Sequence, residues 1–487
     1  MTTQLQPSKR LVLSLAMRWD RQQLQQSLAL LRNPDLPLTG ETPGLGNNWG
    51  PRVSLAWGAS GGRLPVLRFG YGLYFARTPN ATIQAAMTQT GSLKGDLNFF
   101  MRPTDNLNAG GAPPFPYVLS GLPSSVVKPG AVEFAPAFRN AEVHQAEASL
   151  EENLPSHLHL TGTLAVSQGR RLPVTLDANV DPRVNPQTIT YAVVDGTGKG
   201  PVKTPQITVP FYALWPDATT STGFSGRLNP NYQQVTEIFS RANSTYEAAI
   251  IRLSRSSRGL SLDAHYTYGH AMDWNPNEGI QVSGSNLLGP TDFRQEYGTS
   301  NLDVRHSALA SVILQPKWKR RDWVGSVANG WMLSGIGRFR SGLPFTMRTS
   351  GSLAKEFTAS GTAIVALGTG MSGYGGENRV YGVGRNTYRY PAVWKADVRV
   401  GKRFDLGEKR HLDLLAESFN LFNHQNVTEL ETIGYSIESG GVNGRLPTLN
   451  FLTGLKTGQT EFGQPLNINA VDSFRERQIQ FGARVSF

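Results

Sequence analysis

The stretch RANSTYEAAIIRLSRSSRGLSLDAHYTYGHAMD, residues 241–273, decides how the rest of the chain is read. In its second half Leu260, Leu262, Ala264, Tyr266 and Tyr268 alternate with Ser261, Asp263, His265 and Thr267. A period of two is the mark of a strand with one apolar and one polar face. The first half centres a second strand near residue 250, and SSRG (256–259) is the short link between them. Each arm is about ten residues, roughly what a tilted strand needs to cross a bilayer and longer than the ~5–6 residues usual in a soluble sandwich.

The same period returns along the whole chain. Leu67, Phe69, Tyr71, Leu73 and Phe75 oppose Arg68, Gly70, Gly72 and Tyr74; Trp394, Ala396, Val398 and Val400 oppose Lys395, Asp397 and Arg399. At the start, Leu11, Leu13, Leu15, Met17 and Trp19 share a face, so KRLVLSLAMRWD (9–20) reads as a strand. Arg18, Trp19 and Asp20 stand where an export signal would place small cleavage-site residues. About twelve strands result, centred near residues 14, 55, 71, 148, 162, 250, 264, 311, 335, 398, 415 and 482. Short links near 60–64, 153–156, 256–259, 316–329 and 404–409 alternate with long ones over 20–50, 76–141, 168–244, 270–304, 341–392 and 420–476. Tight turns on one side and long loops on the other are the pattern of an outer-membrane barrel. An even count puts both chain ends on the side of the tight turns. Trp19, Trp57, Phe75, Tyr268, Trp331, Trp394, Phe419 and Phe487 near strand ends fit interfacial girdles.

Composition narrows the class. The 487 residues hold 52 glycines and 30 prolines with only 17% charged residues, against a coiled coil or a charged disordered chain. No apolar run approaches the ~18 residues of a membrane-spanning helix. The absence of cysteine removes disulfides, thiolate metal sites and cysteine nucleophiles together. The net charge of +11 comes from scattered lysines and arginines, without the clustering that a nucleic-acid footprint needs, so no nucleic-acid partner is expected.

These stretches, in this order, resemble a known family. NWGPRVSLAWG (48–58), VLRFGYGLYFARTPN (66–80), the hairpin 241–273, DVRHSALASVIL (303–314), NGWMLSGIGRFRSGLPFT (329–346), GRNTYRYPAVWKADVRVGKRFDL (384–406) and ESFNLFNHQN (417–426) are similar to the C-terminal barrel of TonB-dependent outer-membrane transporters of the Oar-like type. The final RQIQFGARVSF (477–487) resembles the signal that such proteins offer to the barrel-assembly machinery, carried here by Ile479, Phe481, Val485 and Phe487. The resemblance implies an all-β antiparallel transmembrane barrel. Residues 1–487 would supply about twelve C-terminal strands of some 22, with long extracellular loops, and without the family's signal peptide, plug and early strands. It implies uptake of a nutrient ligand in the outer membrane, energised by a TonB-type partner acting on a plug. The rival readings are a standalone passive or adhesive barrel and a secreted soluble β protein.

A search for catalytic chemistry returns little, and no enzyme activity or cofactor is expected. DGTGKG (195–200) departs from a phosphate loop because Gly200 follows Lys199 where Ser or Thr belongs; it reads as a turn. GFSG (223–226) lacks the pattern of a nucleophile elbow. His157 and His159 share a strand face without a third ligand, so no metal site is expected. His270 with Asp273, and Asp303 with Arg305 and His306, sit at strand–loop junctions and read as rim hydrogen bonding. Arg68, Glu147, Arg252, Asp263, Asp397, Arg399, Asp413, Glu417 and Arg484 fall on the polar face and suit ion-pair ladders in the barrel interior. The long loops mix Asn, Gly and Ser with aromatics, for example Tyr212, Trp215, Tyr232, Trp274, Tyr297 and Tyr374. That composition suits carbohydrate or peptide ligands by stacking and hydrogen bonding but is too generic to choose between them or a metal chelate, so the ligand-binding residues stay open.

Overall fold

The computed structural model describes residues 2–24, 28–58, 65–99, 113, 116–118, 121–122, 128–274, 287–290, 293–318, 323–353, 355–357, 363–407, 410–441, 445–454, 460–470 and 474–487. Thirteen strands pair in chain order into one antiparallel sheet. They are β1 Thr2–Ser8, β2 Leu11–Gln22, β3 Leu45–Trp57, β4 Val66–Phe75, β5 Glu142–Leu154, β6 Leu158–Asp177 and β7 Val235–Ser257. There follow β8 Leu260–Asp273, β9 His306–Leu314, β10 Trp331–Arg340, β11 Val393–Asp405, β12 His411–Phe419 and β13 Gln478–Ser486. Each of the twelve centres read from the sequence lies in one of β2–β13. The extra strand is β1, whose sequence TTQLQPS shows no apolar face to reveal it. An odd count overturns one expectation: with all neighbours antiparallel, β1 and β13 run in the same direction, so Thr2 lies at the long-loop end while Ser486 lies at the tight-turn end.

The register carries one apolar face from strand to strand. Leu13 stands opposite Leu55, Leu55 opposite Phe69, and Phe69 opposite Ala148. Further on, Leu262 faces Val312, Val312 faces Gly335, and Gly335 faces Val398. Many of the large side chains on this face are bare: Leu164 is 63% exposed and Leu15, Phe69, Ile251 and Leu333 are exposed as well. A belt of this extent on a protein in water would be an aggregation surface. Facing lipid it is at home, and the antiparallel ladder satisfies the backbone groups that lipid cannot. Of the expected girdle residues, Trp19 and Trp57 share this outer face, whereas Phe419 has the parity of Asp413 and Glu417 and points the other way.

The opposite face bears the ladder of ion pairs. Arg68 reaches Glu151 at 2.8 Å, Arg252 reaches Asp263 at 2.6 Å, Arg403 reaches Asp413 at 2.7 Å, and Arg399 bonds Glu417. Each joins adjacent strands, so the polar face is cross-linked wall to wall.

Loops alternate as expected. The turn expected at 60–64 lies outside the described residues. The long links begin later or end sooner than the sequence suggests where strands outrun the membrane: β6 has 20 residues and β7 has 23. At ~3.3 Å per residue β7 extends well past the hydrocarbon thickness. Two register breaks, between Ser240 and Ala242 and between Ala242 and Ser244, interrupt the β6–β7 ladder. Beyond them the environment changes from bare to packed: Val174, Leu176, Ile238 and Ala242 are all buried.

Candidate functional site

The long loops fold together into a crown. Five short strands from three loops make one sheet, in the order Arg348–Ser350, Ile433–Glu438, Thr448–Phe451, Gln187–Val194, Gln206–Phe211. A second sheet joins Phe224–Ser225, Ala213–Pro216, Ala363–Ala366 and Lys355–Phe357. Tyr191, Phe211, Tyr435 and Leu449 are fully excluded from solvent between them, with Met347, Met371 and Ile364 packed alongside. Buried hydroxyls are bonded: Tyr191 donates to the Met371 carbonyl at 2.8 Å, and Tyr435 accepts the Val202 N–H at 3.2 Å. Asn185 is also buried; its carbonyl oxygen accepts from Ala213 N at 3.0 Å and Trp215 Nε1 at 2.8 Å while its amide donates to the carbonyls of Ala213 and Gly226.

Charges at the strand–loop junctions clasp this crown to the wall. Glu296 and Arg379, from different loops, pair at 2.6 Å with essentially no exposure, and Glu296 also accepts the Leu288 N–H at 2.8 Å. Burial pushes the Glu296 carboxyl up from its ordinary range, against the pull of Arg379. Arg385 bonds both the side chain and the carbonyl of Asp273, the last residue of β8, and the Glu296 carbonyl. Asp303 is fully buried, accepts the Ala271 N–H at 2.7 Å and pairs with Arg389 and Arg305. The rim role expected of Asp273, Asp303 and Arg305 is what the structure gives them. His306 likewise bonds the Tyr266 hydroxyl at 2.7 Å on the wall.

Four of the six loop aromatics singled out in the sequence lie away from the surface. Tyr212, Trp215, Tyr232 and Tyr374 are buried in the crown and its base, where Tyr212 and Tyr374 pack ring to ring at 5.4 Å. Loop composition signalled aromatics, and their size drew them inward once three loops supplied a core. Tyr297 remains 50% exposed, with Trp274 against it at 5.4 Å. The sequence reading missed a second aromatic surface: Tyr388, Tyr390 and Phe462 are half-buried around Phe345, with ring centroids 4.9–5.9 Å apart. The density of rings in TYRYP (387–391) was the available signal.

Other expected positions resolve simply. His157 lies in the tight turn Pro155–His157 with positive φ, so it does not share a strand face with His159 as expected. Among the described residues no three His, Cys, Asp or Glu side chains gather as a metal site would require. The DGTGKG segment is the turn it was read to be: burial opposes the charge on Asp195, but N–H groups of Thr197, Gly198 and Gly200 hold its carboxyl below the usual range. Above the register breaks Glu133 stands directly opposite Glu237 in a parallel pairing. Burial first, and that neighbour second, push Glu133 up to about 7.

Ile479, Phe481 and Val485 lie on one face of β13, all strongly exposed (Phe481 82%), and Phe487 beyond it is 94% exposed. β12 pairs with one edge of β13; the other edge of β13 and that of β1 carry no partner among the described residues.

Residues 5–480 match the family model of the outer membrane beta barrel domain. The ferripyoverdine receptor of the outer membrane of Pseudomonas aeruginosa bound to ferripyoverdine is similar at 11% identity and a TM-score of 0.42, over 100% of this chain and 38% of that one. The FrpB iron transporter from Neisseria meningitidis is similar at 9% and 0.40, over 99% of this chain and 53% of that one. The outer membrane transporter YddB from Escherichia coli is similar at 7% and 0.43, over 98% and 43%. This chain therefore spans about two fifths to one half of the length of those proteins. No curated protein matches it.

Proposed function

Because the chain belongs to the outer membrane β-barrel domain family, and so resides in the outer membrane, we propose that it forms part of the wall and the loop crown of a receptor for TonB-energised nutrient uptake. The family is one of barrels and not of enzymes; the proposed role is binding and passage, without catalysis. Ligand first meets the aromatic rings that the crown leaves accessible, exposed Tyr297 beside half-buried Trp274 and the half-buried group Tyr388, Tyr390 and Phe462. In this reading the energy-coupling partner acts on a plug within the barrel.

The observation that carries the reading is the pair of edges, on β1 and β13, that have no partner among the described residues. In lipid an unpaired strand edge costs several kcal/mol for each exposed backbone group, so membrane sheets close. β1 and β13 run in the same direction, so closing them on each other makes a parallel seam in an otherwise antiparallel wall. Further strands between them remove that seam. β13, with one edge unpartnered among the described residues and with exposed Ile479, Phe481, Val485 and Phe487, is the strand we assign to recognition by the barrel-assembly machinery.

The test is a cross-link. Leu5→Cys and Phe481→Cys place thiols on the outer face of β1 and β13. If the chain is part of a larger barrel, no intramolecular disulfide forms in membranes, and heat-resistant gel mobility appears only when the remaining strands are supplied. Rapid cross-linking within a single chain, with heat-resistant mobility on its own, establishes a standalone barrel instead.

A further inference from the structure

One turn on the short side of the wall is longer than a hairpin needs. β7 and β8 are joined by Arg258 and Gly259 alone, whereas the link between β9 and β10 runs over 315–330 and contains a short helix, Trp323–Ala328. Its sequence, QPKWKRRDWVGSVANG, sets four bases (Lys317, Lys319, Arg320 and Arg321) and one acid (Asp322) around Trp318 and Trp323.

The ladder shows on which side of the wall this turn lies. On the outer face Leu333 of β10 stands opposite Val400 of β11, and both are exposed; two residues nearer the turn Trp331 stands opposite Lys402, with no register break between. Trp331 donates its indole N–H to the Val327 carbonyl at 2.8 Å. The Lys402 ammonium donates to the same carbonyl at 2.8 Å and to that of Asn329. Lys402 is only 7% exposed, and the rings of Trp331 and Phe404 each lie 5.2 Å from its Nζ. Side chains of lipid-facing parity therefore grip the end of the helix, which holds the turn on the outer side of the wall. Asn329 closes the other arm: its side-chain oxygen accepts the Trp318 N–H at 2.7 Å and its amide donates to the Trp318 carbonyl at 3.2 Å.

Held in this way, the turn presents apolar side chains outward. Trp323 is 78% exposed; Val327, four residues on and so on the same helix face, is exposed, as are Trp318 and its neighbour Lys317. Tryptophan favours the boundary between hydrocarbon and water, and a helix with an apolar face and basic flanks lies in that boundary. Two observations choose the occupant. Exposed apolar side chains continue from Leu333 through Trp331 into the turn, so the surface extends the lipid-facing belt. The surplus of bases favours an anionic surface over a neutral one.

We propose that the 315–330 turn is an interfacial anchor that binds the anionic phospholipid surface of the leaflet on the tight-turn side. It goes beyond the uptake reading and needs only the lipid-facing wall, so either can fail alone. The chain has no cysteine, so Val327→Cys and, as a reference in the crown, exposed Lys199→Cys each take a single environment-sensitive fluorophore. The full chain, with any further strands that its heat-resistant mobility requires, is reconstituted into vesicles of phosphatidylcholine with or without phosphatidylglycerol. A lipid spin-labelled near the headgroup serves as quencher. With phosphatidylglycerol present, the label at 327 should be quenched at least about twice as strongly as that at 199. The excess should shrink in phosphatidylcholine alone and at high salt. Trp318→Ser together with Trp323→Ser should bring quenching at 327 down to the reference; both side chains are exposed, so heat-resistant mobility should persist. Lys317→Gln, Lys319→Gln, Arg320→Gln and Arg321→Gln combined should abolish the dependence on phosphatidylglycerol. Quenching at 327 no greater than at 199, or an excess that survives loss of both tryptophans, overturns the proposal. An excess equal with and without phosphatidylglycerol overturns the anionic-lipid assignment and leaves a neutral aromatic anchor.

Discussion

Wall and crown bury their apolar side chains by different rules. In the wall, parity alone decides: Leu164 is 63% exposed on the outer face because its packing partner is lipid, while Arg252 on the other face pairs with Asp263. In the crown, parity decides little and tertiary contact decides most: Tyr435 is fully buried because strands from three loops close over it. The boundary between the two regimes is local, at the register breaks of β6 and β7 around Ala242. The same two strands are bare below it and packed above it. The lesson is that the water-type packing of such a membrane barrel lies in its loops and in the strand ends that run up into them.

The sharpest way to break this contrast is to strand a charge in the crown. Glu296→Ala leaves Arg379 buried without its carboxylate and should cost the crown about 3–5 kcal/mol. Hydrogen exchange should quicken at Tyr435 and Leu449 while β8 and β9 keep their protection; equal loss in wall and crown would show that the two are one cooperative unit.

Next in size is a reciprocal pair. Leu164→Arg places a charge on the lipid face and should destabilise assembly by about 2–4 kcal/mol, and Leu449→Ala should cost the crown about 2–5 kcal/mol through a cavity. Leu164→Ala should cost far less than Leu449→Ala, since lipid refills what the leucine vacates. Denaturant titration read by heat mobility for the wall and by proteolysis for the crown distinguishes them.

A smaller effect is set by pH. Glu133 is pushed up to about 7 from an ordinary 4.5, so between those values the folded chain holds a proton that the unfolded chain releases. Stability from this group is therefore full below pH 4.5, falls as pH rises toward 7, and stays level above. The protection factor at Ala131–Phe134, corrected for base-catalysed intrinsic exchange, should be at least about tenfold lower at pH 8 than at pH 5, and Glu133→Gln should flatten that dependence. A dependence that survives the substitution assigns it to another group.

Least of all should come from the ladder on the polar face. Asp263→Asn removes an exposed pair worth roughly 0.2–1 kcal/mol, and a loss above about 2 kcal/mol would mean that these pairs are far less hydrated than their exposure indicates.

How much was legible follows the same division. Strands β2–β13 were readable because each is long enough for a period of two to show, and because one face must be apolar throughout. β1 was not, since Thr2, Gln4 and Gln6 offer no such contrast. The crown was hidden because its strands run only two to eight residues and their partners lie in other loops; nothing near Thr448–Phe451 in sequence announces pairing with Gln187–Val194. Composition pointed to Tyr212 and Tyr374 as aromatics of interest, but burial is a property of the assembled loops, and it turned binding candidates into core. The ionic rim was the part of the site that residue type and position did foretell, in Asp273, Asp303 and Arg305.

The five-stranded crown sheet carries a consequence for the order of events during biogenesis. Thr448 sits opposite Ala192, about 250 residues away along the chain, and joining such distant segments from an unfolded chain is slow. Once the wall has formed, the ends of those loops are fixed as neighbours and the effective search shrinks to the loops themselves. The crown is then the last part to take shape, and the surface that meets the outside world matures only after insertion is complete.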